Sequence, residues 1–389
     1  MRRILKISVP KEIAPGENRV ALVPETVKQL VAAGLEISVE TTAGNAASFT
    51  DQMYEAAGAS IATDNQSVMS GANVVLKVQP PQINSTQGYH EADMIPQGSS
   101  LIGLLQPLTN LDLIVRFSTK NITTFSLDTI PRIARAQSMD ALSSQSSIAG
   151  YKAALIAANT IGKYFPMMMT AAGTYPPAKG LVLGAGVAGL QAIATARRLG
   201  AVMQAFDVRP SVKQEVESLG ATFVGVTPQD VEVETSGGYA QELAEEKQKQ
   251  DQDIIHKYTS EADFVITTAM IPGRLAPTLI TEEMVRDMKP GAIIVDLASE
   301  TGGNCAITHP GHEIQKYGVI INGSLNLPST MPIHASQTYS RNISSLLLHL
   351  IKDGEWNLDF DDAITSGCCI THQGEIIHEL TKSLVESSK

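Results

Sequence analysis

Three glycines, Gly184, Gly186 and Gly189, fall on the spacing G-x-G-x-x-G between two short apolar runs, and Asp207 closes the second run. Each glycine meets a separate need. Gly184 lets the chain turn tightly, Gly186 lets backbone N–H groups approach a pyrophosphate, and Gly189 lets a helix lie close on a strand. The helix that begins at Val187 turns the positive end of its dipole toward a diphosphate. A carboxylate at Asp207 accepts hydrogen bonds from an adenosine ribose and repels a 2′-phosphate, which favours NAD(H) over NADP(H). The bland alternative is a βαβ unit that only holds a fold together, but strand, glycine turn, helix and acidic stop supply the context the motif requires. Arg209 runs against the NAD(H) reading, because a basic residue just past the acid marks some NADP(H) sites. Beside Asp207 it reads as a solvated or diphosphate-facing arginine.

Residues 132–144 form a second group, with Arg132, Arg135, Gln137, Asp140, Ser143 and Ser144 close together. Arginine and aspartate can pair and then grip a carboxamide or a phosphate through directed hydrogen bonds. The stretch also adjoins the expected junction of two α/β domains, where clefts form. Read blandly, the same residues are a solvated polar loop. Histidine, the usual general acid or base, does not occur there. His309 and His312 form H-P-G-H, whose proline and glycine place them in a loop without a third ligand at a readable spacing, so no metal site is expected. His334, His349 and His378 read as packing or surface residues. Cys305 lacks a paired histidine and reads as a buried, inert thiol.

The elements that must position these groups follow from hydropathy and turn residues. Residues 181–183 make a strand, 187–199 a helix capped by Gly200, and 201–206 the next strand. Ahead of them, strands at 5–9, 36–39, 73–78, 101–104 and 122–125 alternate with helices at 24–33, 51–57 and 109–118. That is the rhythm of a parallel sheet covered on both faces, here without a glycine motif of its own. An alanine-rich helix over 146–161 connects the halves. Residues 165–179, FPMMMTAAGTYPPAK, read as a hairpin whose methionines either pack on a second subunit or fill a core.

Beyond Asp207 the expected order is helix 212–219, strand 222–226, a charged stretch 227–253, strand 264–267, helix 281–288, and strands 292–296 and 319–322. The charged stretch is too long and polar for an ordinary connection, and is either a solvated helix with its leader or a mobile flap. A helix over 334–352 returns the chain to the first half, and CCITHQGEII closes as a small hairpin. The fold class is therefore α/β, with two Rossmann-like domains, parallel sheets, long connecting helices and the nucleotide in the interdomain cleft. The expected division is 1–142 plus 328–389 for the first domain and 143–327 for the second.

Bulk properties narrow the partners. A chain of 389 residues has room for two or three cores, and a net charge of −11 makes nucleic acid an unsuitable partner. The three cysteines form neither a disulfide framework nor a C-x-x-C pattern, in keeping with a reducing, cytoplasmic compartment. The N-terminal MRRILKISVPKEI reads as the first strand of the fold, not a leader, and no apolar run is long enough to insert in a membrane.

Several of these segments together resemble the soluble NAD(H)-binding alpha subunit of the proton-translocating NAD(P) transhydrogenases. The likeness is carried by RVALVPETVKQL, PRIARAQSMDALSSQSSIAGY, FPMMMTAAGTYPPA, VLGAGVAGLQAIATARRLGA, GGYAQEL, MIPGRLAP, ITEEMVRDMKPG and IVDLASETGGN, spread over nearly the whole chain. It implies NAD(H) bound by this chain, NADP(H) on a partner domain, membrane-embedded partner subunits, and a homodimer embraced by the hairpin around 167–173. It also implies a peripheral place at the membrane through those partners. Arg132, Gln137, Asp140 and Ser143 match the loop that holds the nicotinamide, with Gln137 reaching toward the NADP(H) domain. Tyr239 matches the tyrosine of a flap that closes over the nucleotide; Leu243 departs from the methionine common there. With the glycine motif, the resemblance assigns Gly184, Gly186, Val187, Gly189, Asp207, Val208, Arg209, Tyr239 and Ala269 to the cofactor.

The rival is alanine dehydrogenase, which is similar in RVAL, VVLKV, GAGVAG and VDLASETGG. Its chemistry needs a lysine and a histidine. At those places this chain has Gln79 and Gln106, and neither amide titrates near neutral pH. Glu300 likewise stands in the place of an active-site aspartate. A third class, a non-enzymatic NAD(H)-responsive regulator, needs only a binding cleft and predicts binding without turnover.

Overall fold

The computed structural model describes residues 5–85, 87–225, 240–352 and 355–387. The chain divides into two units, one made of Met1–Gln145 and Pro328–Lys389, the other of Ser146–Leu327.

In the first unit six strands run parallel: Lys6–Val9, Glu36–Glu40, Ser60–Ala62, Val74–Leu76, Ser100–Gly103 and Thr123–Ser126. Ranked by chain position they lie in the order 3-2-1-4-5-6, the doubly wound arrangement. Successive strand residues point to opposite faces, and both faces are covered. Thus Val74 and Leu76 enter one apolar cluster while Val75 enters another. The C-terminal hairpin, Cys369–His372 and Glu375–Ile376, is more than a free tail, since Cys369–His372 adds to this sheet antiparallel to Thr123–Ser126. The strand Ser60–Ala62 and the helix Asn65–Met69 escape pattern reading because three to five residues do not establish a period.

The second unit repeats the winding. Lys179–Leu183, Val202–Phe206, Thr222–Phe223, Phe264–Thr267, Ile293–Asp296 and Val319–Asn322 are parallel, again in the order 3-2-1-4-5-6. Glu313–Lys316 pairs antiparallel at the edge, so each sheet is a parallel core with an antiparallel addition. Its alternating, half-exposed residues suit an edge strand. Val182, Ile266 and Val295 pack on one face of the sheet, and Leu181, Val265 and Ile294 on the other.

One expected boundary moves, and over the described residues the charged stretch takes the helical form of its two alternatives. The helix after the polar stretch runs Ala141–Thr160 and begins five residues earlier than the alanine content implied, so Ser143 and Ser144 are helical. Its start is set by Asp140, whose Oδ1 accepts from Ser143 N at 2.8 Å and whose Oδ2 accepts from Ser143 Oγ at 2.6 Å. Much of the charged run after 239 is helix, Ala240–Glu261, while residues 226–239, including Tyr239 of the expected flap, lie outside the described residues.

Candidate functional site

The glycine turn sits where strands one and four of the second unit part company, the switch point at which doubly wound sheets bind ligands. Gly184 has φ +100°, a conformation that L side chains rarely adopt, and its N–H donates to Phe206 O at 2.9 Å. Thr268 Oγ1 donates to Gly184 O at 2.9 Å and ties the turn to the end of strand Phe264–Thr267. At Gly189 a Cβ would stand 1.9 Å from Gly184 O, so only a hydrogen lets the helix Val187–Arg198 seat on the turn. At Gly186 a Cβ would meet nothing within 4 Å. This residue is also the N-cap and provides no side-chain acceptor for the first helical N–H groups. A diphosphate fits that cradle in charge and in hydrogen-bonding sense. Val187, in the first turn, is 44% exposed at the same spot.

Asp207 follows the strand Val202–Phe206 and is buried, with Oδ2 accepting from Ala185 N at 2.8 Å. Arg209 is neither simply solvated nor turned to a diphosphate, as its position in the sequence suggested. Its backbone N–H and Nε both donate to Asp207 Oδ1 at 2.9 Å, and Nη2 donates to Oδ2 at 2.9 Å. Burial on its own raises the Asp207 pKa, yet hydrogen bonds from Arg209 and Ala185 outweigh it and hold the carboxyl below the usual aspartate value. The ionised pair therefore stabilises the unit at neutral pH, and that contribution is lost only as acid titrates the depressed group. Val208, between them, is 60% exposed.

Two residues that motif reading passes over organise the other side of the turn. Asn304 is fully buried; its Oδ1 accepts from Ala269 N at 3.0 Å, and its Nδ2 donates to the carbonyls of Ala269 and Pro277, both at 2.8 Å. Ala269, expected at the cofactor, thus has its backbone clasped from both sides. Asn304 is held in turn by Asp296, whose Oδ2 accepts from Asn304 N at 2.8 Å, Cys305 N at 3.0 Å and Thr308 Oγ1 at 2.6 Å. Thr267 Oγ1 donates to the other Asp296 oxygen at 2.9 Å. The available signal is an aspartate at a strand end followed by two glycines and an asparagine.

In the first unit the polar stretch is mostly a 3₁₀ segment, Ala134–Met139, with Arg132 and Gln137 exposed. The arginine–aspartate pairing expected within it does not form. Arg135 Nη2 bonds Asp362 Oδ2 at 2.8 Å, and Asp140 is engaged with Ser143.

Family models for the alanine dehydrogenase/PNT N-terminal and C-terminal domains match residues 8–149 and 153–379. The chain belongs to the alanine dehydrogenase/PNT family. Within it, the chain is 48% identical over 377 residues to an NAD(P) transhydrogenase subunit alpha polypeptide of Rhodospirillum rubrum, covering 96% of this chain and 98% of that one. A transhydrogenase structure from Sinorhizobium meliloti superposes with a TM-score of 0.86 at 40% identity, covering 96% of this chain and all of that one. Alanine dehydrogenase of Bacillus subtilis is more distant, at 30% identity over 335 residues, 84% of this chain and 80% of the relative.

The residues compared with alanine dehydrogenase in the sequence have definite environments in the structure. Gln79 Nε2 donates to Glu17 Oε2 at 2.8 Å, and Glu17 also pairs with Arg19 at 2.6 Å. Gln106 is exposed at φ +50°, with its N–H bonded to Asp128 Oδ2 at 2.9 Å. Lys77 is fully buried between Glu91 at 2.9 Å and Glu12 at 3.1 Å, committed to an internal ion cluster. Glu300 accepts from Asn326 N at 2.8 Å. His309 and His312 lie in a turn, with His312 N bonded to His309 O at 3.1 Å.

Cys305 is buried, and burial pushes its thiol up to about 11; Cys369 is pushed up to about 12 and Cys368 higher still. At pH 8 a thiol with a pKa near 11 is about 0.1% thiolate. Iodoacetamide at that pH should leave all three native thiols unmodified after an hour and alkylate all three in urea, as read by intact mass. Fast labelling of Cys305 in the native protein would contradict its reading as inert.

Proposed function

We propose that this chain binds NAD(H) as one component of a proton-translocating transhydrogenase, serving direct hydride transfer to NADP+ held on a separate partner domain. The observation that carries the reading is the identity of 48% to a transhydrogenase alpha subunit along essentially the whole of both chains. Site chemistry supports it. Gly184, Gly186, Val187 and Gly189 would cradle the diphosphate, Asp207, Val208 and Arg209 the adenosine end, and Ala269 and Tyr239 the remainder. When bound, NADH supplies the hydride. Arg132, Gln137, Asp140 and Ser143 would hold and orient the nicotinamide ring, with Gln137 toward the partner domain.

Exchange of hydride between two nicotinamides moves no proton at the reacting carbons. The residues then have only to align the rings and exclude water, and a general acid or base is unnecessary. That requirement accords with amides at Gln79 and Gln106, whereas oxidative deamination of an amino acid needs titratable groups there. The hairpin Met168–Thr170 and Gly173–Tyr175 leaves Met167 61% and Met169 78% exposed, which suits an arm laid on a second copy better than a core plug. Among the described residues no helix is long and apolar enough to cross a membrane, so membrane-embedded partners would carry the coupled proton movement.

Purified chain mixed with an NADP(H)-binding domain and both nucleotides should reduce NADP+ or an analogue at the expense of NADH. The chain alone, given NAD+ and L-alanine, should form no NADH. No transfer despite measured NADH binding would overturn the proposal. Gln137→Asn is expected to slow transfer about 10- to 100-fold through misalignment while leaving NADH affinity nearly unchanged. Equal losses in both would reduce Gln137 to a binding residue.

A further inference from the structure

We infer that Arg209 is a latent ligand for a 2′-phosphate, kept occupied by Asp207, so that this one carboxylate sets nucleotide preference in two ways. The inference rests on the reading that the second unit binds NAD(H). An aspartate at the end of the second strand is ordinarily given one task, to accept the ribose hydroxyls and repel a phosphate in their place. Here it has a second. Both Asp207 oxygens are saturated, one by the Arg209 N–H and Nε, the other by Arg209 Nη2 and the Ala185 N–H. A carboxylate offers about four acceptor positions, so an arriving ribose diol must displace part of the guanidinium.

The guanidinium is free to yield. The Arg209 side chain is 55% exposed, against 5% for the Asp207 side chain it grips. Swung away from the carboxylate, a planar fork of donors stands beside the ribose, where an arginine receives the 2′-phosphate in NADP(H) sites. While Asp207 is charged, that fork is neutralised and held by two side-chain hydrogen bonds. Glu215 is the other acid whose field reaches it. Removing the Asp207 charge therefore does more than end a repulsion, because it releases a cation already built into the site. The competing view makes Arg209 a brace for the turn and nothing else. On that view loss of Asp207 weakens NADH binding without an Arg209-dependent gain for NADPH.

The experiment is a double-mutant cycle on the full chain. Asp207→Asn keeps an acceptor for the Ala185 N–H, and Asp207→Ser is a second neutral version in case the first perturbs the fold. Each is made with and without Arg209→Ala, and thermal melts confirm folding. NADH and NADPH binding are measured by fluorescence titration, with competition by adenosine 2′,5′-bisphosphate against ADP to isolate the 2′-phosphate. The neutral variants should bind NADPH at least about tenfold tighter than wild type, with a gain that shrinks at high salt and disappears in the doubles. NADPH binding that is equal in single and double variants overturns the inference and leaves the NAD(H) reading standing. Wild-type protein that binds no NADH overturns the reading itself.

Discussion

Gly189→Ala is expected to lower the affinity for NADH at least about a hundredfold and to cost about 1–3 kcal/mol of stability, the range for an overpacked site. The added methyl would lie 1.9 Å from Gly184 O and 3.0 Å from its carbonyl carbon, with Val182 Cγ1 at 3.1 Å. The nearest obstacles are backbone atoms of the turn, so no rotamer change relieves them. The helix Val187–Arg198 must back away, and the N–H groups of its first turn leave the position proposed above to receive a diphosphate. Titration of nicotinamide fluorescence, beside urea unfolding, separates the two effects. An affinity within about threefold of wild type would remove this turn from the nucleotide site.

Asn304→Ala should produce the second large effect, through the loop that bears Ala269. The substitution strips one acceptor and two donor bonds from a fully buried position, stranding the Ala269 N–H and the carbonyls of Ala269 and Pro277. Unsatisfied buried groups cost about 1–3 kcal/mol each, and partial rehydration brings the expected total to about 3–5 kcal/mol. Asn304→Asp is the sharper control. It preserves size and the acceptor for Ala269 N but loses both donors and places a second carboxylate near Asp296, so it should be no better than alanine. Protection of the Ala269 amide from hydrogen exchange should fall by orders of magnitude in Asn304→Ala before NADH is added, and by less in Asn304→Asp, which keeps the acceptor. Wild-type protection together with weakened NADH binding would mean that Asn304 touches the nucleotide directly.

Much of the fold is legible in local pattern. Strands at 264–267 and 319–322 coincide with Phe264–Thr267 and Val319–Asn322, because a parallel strand buried on both faces must be continuously apolar. The polar stretch is less legible. Its residues read as a loop, but a side chain that caps a helix and one that lines a site share the same chemistry. Only the start at Ala141 identifies Asp140 as a cap. The antiparallel edge strand Glu313–Lys316 is hidden for a related reason, since an edge strand carries half the apolar signal of a buried one.

By itself the sequence determined what depends on local sterics and periodicity. The glycine spacing dictates a left-handed turn and a close helix contact, and short continuous apolar runs dictate buried strands. Tertiary structure alone decided the pairings among residues whose side chains have several possible partners. Arg209 had water, a diphosphate or Asp207 available, and geometry chose Asp207. Asn304 reaches Ala269 across 35 positions of sequence, a link that no local period encodes. Lys77 became part of an internal cluster with Glu12 and Glu91 because folding removed water from all three, and a buried charge must then find its partners inside the protein.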